Sequence, residues 1–182
     1  MPPLSHAIEY YTYDDYKLWE GEWELIDGIA YAMAPSPMIS HQAIAGEITF
    51  ELVSSVRKCK DCLVVIEQDW KVDEMTVLKP DISLICNETN LSHITKSPLI
   101  SVEVISKSTA TRDEKYKFEI YKKEGVKYYV LVYPNELKAK IYQLKGSEYI
   151  KVGDFSLETY DFNDLECKAS IDFESVFEKF RK

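Results

Sequence analysis

Asp81, Glu103 and Lys117 are the residues whose types and placing could do chemistry. Residues 78–86 and 99–106 are two short apolar runs, and each contains one carboxylate. Asp81 sits at the mouth of the first run, and Glu103 lies inside the second. An acid within a run such as Ile100-Ser-Val-Glu-Val-Ile105 is costly if buried alone, so it needs a cation, a donor or water. Two carboxylates on neighbouring strands would make an oxygen-rich site for a hard divalent ion such as magnesium. A lysine close by could stabilise charge on a reacting phosphate.

Periodicity says which way these groups point. In a strand, residues two apart share a face, so Glu103 points with Ser101 and Ile105. On the following helix Asp113, Lys117 and Tyr121 stack four apart, and Lys117 flanks Phe118 and Tyr121. A lysine there either snorkels to solvent or meets a carboxylate. Pairing with Asp113 or Tyr121 on the surface is the alternative to a site. On either reading Lys117→Met keeps much of the aliphatic stem, so its stability should change little.

The elements that must position these residues can be read in order. Residues 1–10 read as a loose leader. A short helix follows Thr12 and stops at Gly21. Two short runs around Asp27-Gly28 form the strongest hairpin signal in the chain. Pro35-Ser-Pro37 breaks the chain before a helix over about 38–57, with Ile44, Ile48, Leu52, Val53 and Val56 on its buried face. Residues 62–67 and 69–72 read as strands, and the two acid-bearing strands come next. A helix over about 110–124 is capped by Gly125, and 127–133 is a central strand. Residues 138–144 and 148–152 form a meander around Gly146, and 171–180 reads as a closing amphipathic helix. Strand, helix, strand through 99–133 is a crossover that makes its two strands parallel. The fold class expected is α/β: one domain over 1–182 with a central mixed sheet, flanking helices and an N-terminal hairpin.

At 182 residues, with 46% hydrophobic residues and 13 tyrosines, the chain can bury a proper core. No apolar stretch approaches the ~20 residues that span a membrane, and no secretory signal opens the sequence. A cytoplasmic protein is the expectation. The net charge of −9 argues against a surface that grips nucleic acid everywhere. The charge is uneven, however. Residues 1–27 carry seven acids and one lysine, whereas residues 107–127 carry seven bases and four acids. The one basic stretch adjoins the candidate site.

Cys59 and Cys62 have the CxxC spacing that zinc and redox sites both use. A structural zinc site needs two more ligands, and no second CxxC or HxxxH is present. Reduced cysteines are the expectation, with Cys86 an inert buried thiol. Serine at positions 59 and 62 should then leave the fold nearly unchanged.

Taken in order, Trp23-Glu-Leu-Ile-Asp-Gly28, Ser36-Pro-Met-Ile-Ser-His41, Lys79-Pro-Asp81, Val102-Glu-Val-Ile-Ser106, Ser108-Thr-Ala-Thr-Arg-Asp113, Lys117, Tyr121 and Gly125-Val126 resemble the Uma-type restriction endonucleases of the PD-(D/E)xK nuclease superfamily. The resemblance covers roughly residues 10–145. It implies a restriction-endonuclease-like core and metal-dependent cleavage of DNA phosphodiester bonds. By this resemblance Asp81 is the PD aspartate, Glu103 the second acid and Glu24 an additional acid in the hairpin, while His41 matches a family histidine. The usual superfamily lysine falls two residues after the second acid, where this chain has Ile105. The family offers a lysine on the next helix instead, which matches Lys117. Asp81 and Glu103 would hold Mg2+, or Mn2+ in its place, with Glu24 as an outer or third ligand. Two-strand cleavage needs two sites, which a homodimer would supply. The alternative is a non-catalytic nucleic-acid-binding or protein-interaction module on the same fold.

Overall fold

A computed structural model of the protein describes residues 9–33, 38–106 and 109–181. Most of the leader expected at 1–10, and the whole Pro35-Ser-Pro37 break, lie outside the described residues. The centre is a six-stranded sheet in the order β10-β9-β8-β7-β6-β3. Its strands are β3 (Cys62–Ile66), β6 (Ile82–Cys86), β7 (Ile100–Val104), β8 (Tyr128–Tyr133), β9 (Lys138–Lys145) and β10 (Glu148–Phe155). Among the described residues of this sheet, β7 and β8 are the one parallel pair of neighbours. They are joined through a wide π-helical segment (Arg112–Lys117) and helix α3 (Phe118–Lys123). The crossover and the mixed sheet therefore match the expectation. Gly125, at φ +81°, turns the chain out of α3, a conformation that costs glycine little.

Helix α2 (Ile39–Val56) covers one face of the sheet with Ile44, Ile48, Leu52 and Val56. These pack on Ile82, Leu84, Val102, Val104, Val130 and Val132, alternate residues of three neighbouring strands. Each such side chain contributes about 1.5–3 kcal/mol by leaving water. Val53, expected on this face, is instead 39% exposed. It lies one residue past Leu52, which turns it about 100° round the helix.

The opposite face carries a second cluster: Ile26, Trp70, Leu78, Ile85, Tyr121, Tyr129 and Leu131. It is covered by α3 and by a small sheet in the order β2-β1-β5-β4. The outer pair of that sheet is the expected hairpin, β1 (Trp23–Ile26) and β2 (Ile29–Ala32). Asp27 at φ 49° and Gly28 at φ 79° make its turn, as a two-residue hairpin requires. A Cβ at Gly28 would lie 2.6 Å from Met75 Cε, so space as well as φ favours glycine there. Strands β4 (Trp70–Lys71) and β5 (Val77–Leu78) complete this sheet. The short helix after Thr12 is one turn, α1 (Tyr13–Tyr16).

The C-terminal end corrects the sequence reading. The expected helix 171–180 begins as a strand: β11 (Thr159–Phe162) pairs with β12 (Ala169–Asp172), and α4 (Phe173–Phe177) starts only afterwards. Ile171 and Phe173 both reach the core under α2, but through two kinds of element. Cys86 is also no isolated thiol. It stands directly opposite Cys62 across β6 and β3, and the four cysteines, expected as separate reduced thiols, are paired as Cys59–Cys167 and Cys62–Cys86 at one end of the sheet, because the fold brings positions 86 and 167 to the C-x-x-C.

Candidate functional site

The site is built where β6 and β7 lie side by side. Ile82 pairs with Val102 in antiparallel register, which sets Asp81, one residue before, against Glu103, one residue after. Asp81 is fixed by the neighbouring strand, because the Val104 N–H donates to its Oδ2 at 2.6 Å. His41, in the first turn of α2, approaches the same oxygen with Nε2 at 3.4 Å. Burial opposes the charging of His41, but the hydrogen bond and charge of Asp81 outweigh it and raise its pKa. A cleft of about 210 Å³ opens here, lined by His41, Gln42, Gly46, Thr49, Glu67 and Asp81.

Glu103 points into the opposite, tyrosine-rich face and is 2% exposed. Its Oε1 accepts from Lys117 Nζ at 3.0 Å and from the Tyr121 hydroxyl at 2.8 Å. Burial pushes the Glu103 pKa well up. Lys117 opposes that shift, and Asp113, Asp81 and Glu24 add to it. Lys117 is itself 2% exposed. Its Nζ also lies 2.8 Å from Glu24 Oε1 and 3.4 Å from Asp113 Oδ1. Burial disfavours its charge, yet Glu103, Glu24 and Asp113 together hold its pKa well above the ordinary value. The lysine is an ammonium inside the protein, so the surface pairing is excluded.

Glu24 arrives from β1, and both of its oxygens are occupied. Oε1 accepts from the Lys79 N–H at 2.9 Å as well as from Lys117, and Oε2 accepts from Arg112 Nη1 at 2.9 Å. Tyr31, opposite Glu24 in the hairpin, lies beneath the Arg112 guanidinium, with Cζ 5.3 Å from the ring centre. The hairpin thus grips Arg112 by charge and by its aromatic face.

The π-helical segment decides which residues of the crossover point inward. Its wider turn brings both Asp113 and Lys117 under the sheet, an irregularity found often at functional sites. The Asp113 carbonyl accepts from the Tyr129 hydroxyl at 2.9 Å, which ties the segment to β8. Burial raises the Asp113 carboxyl pKa against the pull of Lys117 and a hydrogen bond from Thr109.

Of the residues singled out in sequence, Glu24, Glu103 and Lys117 meet directly, and Asp81 stands beside Glu103 with His41. The parts played by Arg112 and Tyr31 carried no signal, apart from Arg112 lying within the basic stretch.

The donor set suits a hard cation in type and in charge. Three carboxylates (Glu24, Glu103 and Asp113) face the cations Lys117 and Arg112, and a fourth, Asp81, stands beside them against His41. The surplus of negative charge is what raises Glu103 and Asp113 further. Both oxygens of Glu24 already have partners, whereas the contacts of Asp81 run through Oδ2 and those of Glu103 through Oε1. Among the described residues no three acids or histidines bring their ligand atoms within 4.8 Å of one another. Lys117 occupies the space between Glu24 and Glu103.

Comparison with known proteins agrees with this architecture. No curated protein matches the chain. A crystal structure from Anabaena variabilis, described as "a putative nuclease belonging to DUF820", superposes with a TM-score of 0.73 over 92% of this chain and 97% of its own, at 18% identity. That likeness establishes the fold. The family model described as "Putative restriction endonuclease" matches residues 11–165, and the chain belongs to that family, Uma2.

Proposed function

We propose that the protein is a metal-dependent endonuclease that hydrolyses DNA phosphodiester bonds, with Asp81 and Glu103 holding Mg2+ and Mn2+ as a substitute. The observation that carries this reading is the delivery of Lys117 to Glu103 from a different element, beside Asp81. Family membership makes a nuclease-like role the starting point. The metal, when bound, would lower the pKa of a coordinated water and neutralise charge on the scissile phosphate.

The chain's own residues supply the rest. Lys117 and the Tyr121 hydroxyl fix Glu103 through Oε1, which leaves Oε2 for binding. The Val104 N–H fixes Asp81 through Oδ2 and leaves Oδ1. Lys117 reaches a phosphate oxygen by giving up its longest contact, the one to Asp113. It keeps Glu24 and Glu103 as its guides. Arg112 and Glu24 hold the hairpin against the crossover, so Lys117 cannot swing away. The cleft beside His41 and Asp81 is the open approach to the pair. Cutting both strands of a duplex needs two such sites, which a homodimer would bring.

Plasmid DNA incubated with Mg2+ or Mn2+ tests this. The wild type should nick or linearise it, EDTA should stop the reaction, and Asp81→Asn should lose at least about a hundredfold in rate. Asp81 is partly exposed, so this variant should fold. A wild type that binds metal and DNA yet cuts neither DNA nor RNA would establish a binding module instead.

A further inference from the structure

We propose that Cys59, Cys62, Cys86 and Cys167 form a structural zinc site of four thiolates, remote from the carboxylate site in both place and chemistry. The four come from separate segments. Cys59 lies in the turn after α2, where its N–H donates to the Val56 carbonyl at 2.8 Å. Cys62 opens β3, Cys86 closes β6 opposite it, and Cys167 lies between β11 and β12. The sulfurs of Cys59, Cys62 and Cys167 all fall within 4.8 Å of one another. Cys86 joins through Cys62.

The sulfurs are in bonding contact as Cys59–Cys167 and Cys62–Cys86, so the fold brings all four to one place. Cys62 Sγ also lies 3.2 Å from Cys167 Sγ, which links the pairs into one knot. The Cα atoms of Cys62 and Cys86 are 4.0 Å apart, closer than the ~4.4–6.8 Å usual for a disulfide. A tetrahedral ion with Zn–S bonds of ~2.3 Å asks for sulfurs somewhat under 4 Å apart on average, and needs no bond between any two. C-x-x-C is the two-ligand chelate common to such sites, and the fold brings the missing second pair from positions 86 and 167.

Charge and burial favour the same reading. Four thiolates on a divalent ion leave a double negative charge, and the sequence neighbours Arg57, Lys58, Lys60 and Lys168 outnumber the acids Asp61 and Glu166 beside the cysteines. Cys62 is 9% exposed, and the other three pack against the main core. Soft sulfur donors in a closed tetrahedral set select zinc over magnesium. The ion would tie the β11–β12 ribbon, and with it Phe162, Leu165, Ile171 and Phe173, to the end of the main sheet under α2.

Protein purified with a thiol reductant and without chelator should contain about one zinc per chain. Four thiols should react only after denaturation with a chelator. Cobalt exchanged for the zinc should give thiolate-to-metal charge-transfer and tetrahedral d–d absorption. Chelation should lower the melting temperature by several degrees, because the metal binds only the folded arrangement. Cys167→Ser should weaken zinc retention against a competing chelator by at least about tenfold. If that variant does not fold, the metal content and cobalt spectrum of the wild type decide. Metal-free protein with four free thiols that takes up neither zinc nor cobalt would overturn the site. Metal-free protein with no titratable thiol would overturn it in favour of two disulfides, and iron in place of zinc would also refute it.

Discussion

Lys117 Nζ lies 3.0 Å from Glu103 Oε1, although 14 residues and a change of element separate them. Position 105, which would share a strand face with Glu103, is an isoleucine packed into the second core cluster. The cation that the acid needs has therefore moved from the strand to the crossover helix. That move works because β7 feeds the crossover, and the π-helical turn rolls position 117 back under the strand. Ile105 then adds apolar surface where a lysine would have needed a path to Glu103.

Lys117→Met is expected to be strongly destabilising, by about 3–5 kcal/mol, because it strips the cation from buried Glu24, Glu103 and Asp113. This corrects the small change expected from the retained aliphatic stem: with Lys117 buried among three carboxylates, the charge and not the stem decides. Adding Glu103→Gln should recover part of the loss, since one of the orphaned charges goes with it. Denaturant unfolding of both single variants and the double variant measures the coupling. Additive losses would show that the contact contributes nothing.

The sequence carried the fold through its periodicities. Ile44, Ile48, Leu52 and Val56 recur on one helix face, Asp27-Gly28 marks a turn, and strand-helix-strand dictates the parallel β7–β8 pair. β11 and β12 stayed hidden because Ile171, Phe173 and Phe177 mimic a helical stripe, although the first residue lies in a strand. At the site, the acids were visible as charges inside apolar runs. Arg112 and Tyr31 were not, because their pairing with Glu24 depends on a hairpin folding across the crossover. The cysteine cluster was equally out of reach, since positions 59 and 167 are 108 residues apart.

Magnesium or manganese should raise the melting temperature of the wild type, because an ion that binds the folded state preferentially stabilises it. Asp81→Asn combined with Glu103→Gln should abolish the shift. A zinc chelator must be absent, so that the cysteine cluster does not contribute. An equal shift in both proteins would remove Asp81 and Glu103 as the binding pair.

Arg112→Met should cost about 2–3 kcal/mol, because Glu24 is 1% exposed and its Oε2 would lose its donor. Arg112→Lys should recover only part of this, since an ammonium cannot lie flat on Tyr31 while it bonds Glu24. Thermal melts of the two variants rank these effects. Full recovery by lysine would reduce the role of Arg112 to a point charge.

The last prediction concerns Glu88, which organises the connection between the two acid-bearing strands. Its carboxylate accepts from the N–H groups of Thr89, Asn90, Thr95 and Lys96 and from the Thr95 hydroxyl, all at 2.7–3.1 Å. Partial burial opposes the charge, but these donors outweigh it and lower the pKa from 4.5 to about 2. A carboxylate that is more acidic when folded adds stability above its unfolded pKa and loses it as pH falls through the folded value. The contribution is therefore whole at pH 7 and declines between pH 4.5 and about 2. The side chain is partly open to solvent, so screening reduces it to about 1 kcal/mol. Glu88→Gln puts an amide NH2 among donors and should lower the melting temperature by about 2–4 °C at pH 7. The gap between wild type and variant should shrink steadily as the pH is taken below 4.5. A gap of the same size at pH 7 and pH 3 would mean that packing of the loop, and not the charge of Glu88, holds the connection in place.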